Sequence, residues 1–498
     1  MTALDQPTAP EAEAPDASEA PARPAGGTPV LLVLVGGGAV VLYAACVAAV
    51  GWRAGSLDHP AAAVLALVTG AVALAPTLAA VRRRDTAALV DPVVLAGWLF
   101  WLPIFCLGGV ALALGWNHPY YLDLLADPSE ALAAAQLWGL VGFLSLALGA
   151  SLPGIRRTGL AAGRRLPRPT WRPGSVRLPA ALLVVGGLAV SAVALATDRL
   201  GYDATTRQQV SPVAAYLQVI ALVGVALLWH DLLHTPPPRG RVAVALTVGG
   251  LVAAAVVGGS LAESRATLAT WVLVVLVVTL LSGVRVPGRL AGAVVAAAAV
   301  TLVLGALVGS QYRELRRDGV GPTGEVVPAP GRLDALDQAL ERIGDRGLGN
   351  VAYLRDRSVQ RLEAPGGLAV IVARNHELDG TDTADGAPRV LDSMIGSFVP
   401  RALWSDKPAS TDPGAISRLY FEYEANAFAV TPMGDVLRDL GPLAVPLLML
   451  LMGTVLRLVH AALVGSPPLA ATGVAAFAVL VVRAPMWWEG FYATYLGD

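Results

Sequence analysis

Charge is scarce in this chain of 498 residues: Asp, Glu, Lys and Arg make up 15% of it, against roughly 25% in an ordinary globular domain. Lysine is nearly missing, Lys407 being the only one. Cysteine occurs only at Cys46 and Cys106, both within hydrophobic runs. A disulfide framework is therefore not indicated, and both read as small core residues. The net charge of −1 argues against a nucleic-acid-binding protein, which would present a basic face. There is no Gly-Lys phosphate loop and no zinc-ligand spacing. A cleaved leader is not expected either. Residues 1–28 are Ala/Pro/Glu-rich with Arg23 as their one basic residue, and they read as a disordered tail rather than a signal peptide.

What the chain has in quantity is apolar sequence, 55% of its residues. It is arranged in runs of about 20, the length a helix needs to cross a bilayer core. About eleven spans are expected. They run over Val30–Val50, Ala61–Val81, Val93–Leu114, Ala131–Leu152, Leu178–Ala196 and Pro212–Leu232. Val242–Gly259, Ala266–Leu281, Leu290–Val308, Leu443–Ala462 and Ala470–Val482 follow. The expected fold is thus an all-α, polytopic helical membrane protein with one large external loop.

Arginine placement sets the expected topology, because positive residues near span ends stay cytoplasmic. Alternate loops carry Arg82–Arg84, a set from Arg156 to Arg177, Arg239 with Arg241, and Arg285 with Arg289. The intervening loops carry only Arg53, Arg199, Arg207 and Arg265. The expected arrangement is a cytoplasmic tail over 1–28, nine spans over 29–310, an extracytoplasmic loop over 311–435, and two spans with an aromatic end over 436–498. Trp487, Trp488, Tyr492 and Tyr495 suit an interfacial belt. No internal repeat is apparent, and the early spans carry almost no mid-membrane charge, which weighs against a lipid or glycan transporter.

The polar loop holds the candidate chemistry. Within it, Arg332–Ile343 and Leu348–Leu362 have the periodicity of short amphipathic helices. Glu363–Gly367 reads as a break, Leu368–Val372 as an apolar helix on the membrane, and Val390–Phe398 as a further helix. A loop without its own core must pack on the spans or their rim. Arg265, Arg313, Arg389, Arg401 and Lys407 are candidate oxyanion ligands, since guanidinium binds phosphate through a planar fork. Arg316 and Arg317 directly follow a span and read as snorkelling side chains. His376 is the candidate general base, with Glu422, Glu424 and Asp435 as alternatives. Tyr420 and Tyr423 interleave with the acids in the way that rings hold sugars. Asp379, Asp382 and Asp385 share a Gly/Thr loop that reads as solvated, so no metal site and no cofactor are expected.

The segment S-M-I-G-S-F-V-P-R-A-L-W-S-D-K-P, from Ser393 to Pro408, resembles a family hallmark. It resembles the oligosaccharide repeat-unit polymerases of the Wzy type, in the O-antigen polymerase and ligase superfamily. Their loop carries P-R-x-x-W-x-x-K-P, met here by Pro400, Arg401, Trp404, Lys407 and Pro408. A T-x-x-G-[ED] element follows in that family, met here by Thr431, Gly434 and Asp435. Of the subsequent G-x-x-G only Gly441 is present. The resemblance covers roughly Gly258–Leu450.

The resemblance implies an enzyme of the cytoplasmic membrane that takes a polyprenyl-pyrophosphate-linked oligosaccharide as donor. It joins the donor's reducing-end carbon to a hydroxyl of another lipid-linked unit on the outer face. Arg265, Arg313, Arg401 and Lys407 would hold the pyrophosphate, with Arg389, Trp404 and Asp435 as further substrate contacts. His376 would be the base, with Glu422 in reserve. Flippase and chain-length regulator partners belong to the same picture. The alternatives are an O-antigen ligase-like transferase and a polyprenyl-phosphate-sugar glycosyltransferase of the GT-C type. The GT-C type normally carries an acid in the first external loop, where this chain offers only Asp58.

Overall fold

The computed structural model describes residues 57–83, 86–116, 119–166, 175–196, 212–234, 265–282, 303–305, 307–316, 319–320, 326–327, 330–347, 349–350, 352–354, 362–375, 390–391, 413–422, 430–465 and 471–488, with parts of 41–53. These residues are almost wholly helical. Among them the only strands are Gly319–Val320 (β1) and Val326–Val327 (β2), which pair antiparallel with Gly319 opposite Val327.

Four helices are long and apolar enough to cross a membrane: Pro60–Arg82 (α1), Pro92–Ala113 (α2), Pro128–Ser151 (α3) and, late in the chain, Ala444–Val464. Each coincides with an expected span. Between α3 and the last of these come Ile155–Arg165 (α4), Arg177–Ala196 (α5), Pro212–His234 (α6) and Arg265–Ser282 (α7). The residues at 307–316 (α8), Arg332–Arg346 (α9), Ala364–Arg374 (α10), Pro413–Phe421 (α11) and Pro432–Leu440 (α12) follow. Ala444–Val464 is α13, and Ala471–Trp488 is α14. The apolar helices mark a membrane protein. The expected span over Val242–Gly259 lies outside the described residues, as do most of Val30–Val50 and Leu290–Val308.

Each helix begins where local chemistry permits. Asp91 and Asp127 cap α2 and α3 by accepting hydrogen bonds from Val93 N and Glu130 N, and proline occupies the first position of both. Within α2 the backbone widens to i→i+5 hydrogen bonding over Gly97–Gly108. Pro103 sits there without an N–H to give, and the wider turn accommodates the packed rings of Phe100, Trp101 and Phe105. Trp101 Nε1 donates to Gly139 O of α3 at 2.8 Å.

Two large apolar cores result. One joins α1, α2, α3, α10, α11, α12 and α13. The other joins α5, α6, α7 and α14 with the end of α13. A small third core, from Tyr312, Leu315, Ala335 and Ala339, fastens α9 to α8. The contacts between α13 and α3 are backbone-close: a Cβ at Gly149 would run into Leu450 O, and one at Gly453 into Leu146 O.

Several boundaries differ from expectation. The helix expected to end at Val308 continues to Arg316. The helix over the last expected span runs on to Trp488 and includes Trp487 and Trp488. Glu363–Gly367 is not a break. Glu363 is the N-cap of α10 and Pro365 lies in its first turn, so these residues start a helix. That helix does not lie on the membrane either, since Ala364 through Ile371 are buried in the protein. A Cβ at Gly366 would press on the Tyr121 ring at 3.2 Å, which is why glycine suits this helical position. At Val390–Phe398 only 390–391 are described, and they are helical. The helices α11 and α12 are further elements of the polar loop.

Candidate active site

Helices α10, α11 and α12 meet beside the Tyr120–Leu124 turn, which links α2 to α3. Their placement reaches into the bundle. Met433, in the first turn of α12, packs against Gly142, past the midpoint of α3. The polar-loop helices α10, α11 and α12 therefore all contribute to the main core.

The sequence around α12 explains its geometry. Thr431 is the N-cap, its Oγ1 accepting from Gly434 N at 3.2 Å, and Pro432 follows at the first position. Asp435 stands in the first turn and Arg438 in the last, each at the helix end whose dipole favours it. Gly441, at φ 80°, ends the helix. Thr431 itself has φ 57° and ψ 150°, a region that essentially only glycine occupies without strain.

A hydrogen-bonded network ties the three helices together. Arg438 donates from Nε and Nη2 to Asp435 Oδ1 at 2.9 and 2.7 Å. Both side chains are only 2% exposed, and a buried pair of this kind is tolerated because each charge is compensated. Asn375 Nδ2 donates to Leu437 O, while its Oδ1 accepts from Tyr420 Oη at 3.2 Å. Arg374 Nη1 donates to Tyr420 O at 3.0 Å, and its Nη2 lies 2.9 Å from Glu422 Oε1. Asp439 Oδ2 accepts from Val390 N at 2.8 Å. Tyr120 Oη donates to Phe421 O and Tyr121 Oη to Glu363 O, so the α2–α3 turn holds the ends of α11 and α10.

Burial is the main electrostatic influence here. It pushes the Tyr420 phenol up to about 12, with Arg438 opposing and Asp435 and Asp439 reinforcing the rise. Burial likewise raises Tyr121 well above its ordinary value, helped by Glu363 and Tyr120.

Of the residues singled out from the sequence, Tyr420, Glu422 and Asp435 meet in this network. Glu422 is 58% exposed at its side chain, has φ 53°, and is paired with Arg374. Its carboxylate is open to the surface. Asp435 is buried and engaged by Arg438, so it braces α12 and does not face solvent. Arg313 lies on α8, and Arg265 opens α7. His376 directly follows Asn375, and Arg389 directly precedes Val390. Both lie outside the described residues, as do Arg401, Trp404 and Lys407. Arg316, expected to snorkel, instead donates from Nη1 to Pro330 O of the polar loop at 2.8 Å.

Arg374, Asn375, Arg438 and Asp439 were not among the sequence candidates. The signal was there: an Arg-Asn pair stands just before His376, and an Arg-Asp pair follows the T-x-x-G-D element. Among the described residues no group of three or more His, Cys, Asp or Glu side chains is placed to hold a metal ion. Comparisons with protein-family models, with curated proteins and with solved structures find no match to this chain.

Proposed function

We propose that the chain is a membrane glycosyltransferase that polymerises polyprenyl-pyrophosphate-linked oligosaccharide repeat units on the outer face of the cytoplasmic membrane. The observation that supports this reading is that the P-R-x-x-W-x-x-K-P run is flanked in sequence by residues of the α10–α11–α12 network. Pro400–Pro408 lies in the stretch between Asn375 and Pro413. Asn375 binds Tyr420 of α11, and within the stretch Val390 is tied to Asp439 of α12. The described residues on either side of this cation-bearing run in sequence, Asn375 and Val390 before it and Tyr420 of α11 after it, belong to the network that also carries Glu422.

In the proposed reaction the acceptor sugar's hydroxyl oxygen forms a bond to the donor's reducing-end carbon. The bond from that carbon to the pyrophosphate oxygen breaks, and polyprenyl pyrophosphate leaves with the electron pair. Arg401, Lys407, Arg313 and Arg265 neutralise the charge growing on the leaving group, the electrostatic contribution that usually dominates such steps. His376 or Glu422 takes the acceptor's proton. About eleven spans, a cytoplasmic N-terminus and an outward polar loop belong to the same proposal; the count rests on the apolar runs and the orientation on the arginine distribution.

The test is Arg401→Ala in cells that make the polymer, with the lipid-linked products separated by size. Accumulation of single lipid-linked repeat units, with the variant present in the membrane at the normal level, is the expected result. Normal polymer length would remove Arg401 from the mechanism. Normal polymer on the lipid carrier with failed transfer to a final acceptor would instead favour the ligase.

A further inference from the structure

A basic helix lies at the far end of α3 from the network above. There α4, with the sequence IRRTGLAAGRR, is joined to α3 by a turn in which Gly154 has φ 90°. One face of α4 is glycine and is locked to the last turns of α13. A Cβ at Gly159 would lie 2.7 Å from Leu458 O, and one at Gly163 would run into Ala462 O. At 100° per residue, Arg157, Arg164 and Arg165 fall on the side away from those glycines. All three are exposed, and among the described residues none has an ion-pair partner. Arg156 lies nearer the glycine face.

The carboxylate described beside this end of α13, Asp91, is already paired with Arg457. No acidic residue occurs between Glu130 and Asp198, whereas seven arginines do. Because α3 and α13 are both bilayer-length and both end beside α4, the arginine face stands at headgroup level, where anionic phosphates are dense. A basic amphipathic helix so placed draws stabilisation from anionic lipid.

We propose that Arg157, Arg164 and Arg165 of α4 form a binding site for anionic phospholipid headgroups. The glycine face fixes the helix to α13, so the arginines are presented without a folding step. The site is independent of the catalytic reading.

The test uses the full chain in nanodiscs containing equal phosphatidylglycerol and phosphatidylcholine, with the lipid retained on extraction into detergent counted by mass spectrometry. The wild type retains phosphatidylglycerol preferentially. The triple variant Arg157→Gln, Arg164→Gln, Arg165→Gln lowers that preference about fivefold or more, the worth of at least one arginine near an anionic surface. The corresponding triple Lys variant keeps the preference. An unchanged ratio in the Gln variant, or an equal loss in the Lys variant, overturns the proposal. Should the Gln variant not fold, salt decides with the wild type alone: a preference that falls as ionic strength rises supports the site, and a salt-insensitive one refutes it. Displacement of the retained lipid by millimolar inorganic phosphate would also refute it, since the ligand would then be a free anion.

Discussion

Arg438 grips Asp435 through a single oxygen: both Nε and Nη2 of the guanidinium donate to Oδ1, at 2.9 and 2.7 Å, inside the protein. Removing one member strands a buried charge. Asp435→Asn or Arg438→Met is therefore expected to cost about 3–5 kcal/mol of stability. The double variant should recover much of that loss, because two uncharged side chains leave nothing uncompensated. Thermal melts of the four proteins in one detergent check this. Additive losses in the double variant would mean that the two residues do not act as a pair.

Thr431 combines a favourable cap with an unfavourable backbone. Thr431→Val loses the Oγ1 cap and keeps the strained φ and ψ, so it should destabilise by about 1 kcal/mol or more. Thr431→Gly loses the same side chain but relaxes the backbone, and glycine is itself a tolerable cap. It should be near neutral. The two variants are compared by denaturant titration, and a valine form at least as stable as the glycine form would exclude backbone strain at this corner.

The closeness of α3 and α13 predicts a contrast between glycines. Gly453→Ala pushes a methyl into Leu146 O and should cost about 1–3 kcal/mol. Gly186, on α5, has open space around it. Gly186→Ala should be neutral or stabilise by up to about 1 kcal/mol through helix propensity. Equal melting shifts for the two would contradict the packing described here.

Tyr420 links stability to alkaline pH. Its phenol is held protonated in the folded protein to about 12, whereas in an unfolded chain it ionises near 10. A group raised in this way contributes stability that is complete below the unfolded value and is lost as pH climbs from about 10 to about 12. The full contribution is roughly 2–3 kcal/mol. Tyr420→Phe should flatten the decline of melting temperature across that window. In absorbance titrations the wild type should develop one phenolate more than Tyr420→Phe, with that difference appearing near pH 12, and the same slope in both proteins would locate the effect elsewhere.

Much of this architecture was legible locally. The span boundaries of α1, α2, α3 and α13 follow from runs of apolar residues, and the start of α12 is written in Thr431-Pro432 with Asp435 one turn on. The misreadings have a common physical cause. Pro365, Gly366 and Gly367 break a helix when exposed, but here Pro365 fits a helix's first turn and Tyr121, far away in sequence, covers Gly366. The network escaped notice because its bonds are remote: Arg374 reaches Tyr420 and Glu422, and Tyr120 reaches Phe421. No window of sequence contains both partners.

Hydropathy, caps and arginine spacing act over one or two helical turns, so the chain by itself determined that it would form bilayer-length helices and a basic helix after α3. Whether a residue is buried depends on what packs over it. Only the tertiary structure decided that α10 and α12 sink into the main core, that Asp435 becomes a brace rather than a surface acid, and that Glu422 stays at the surface beside Arg374.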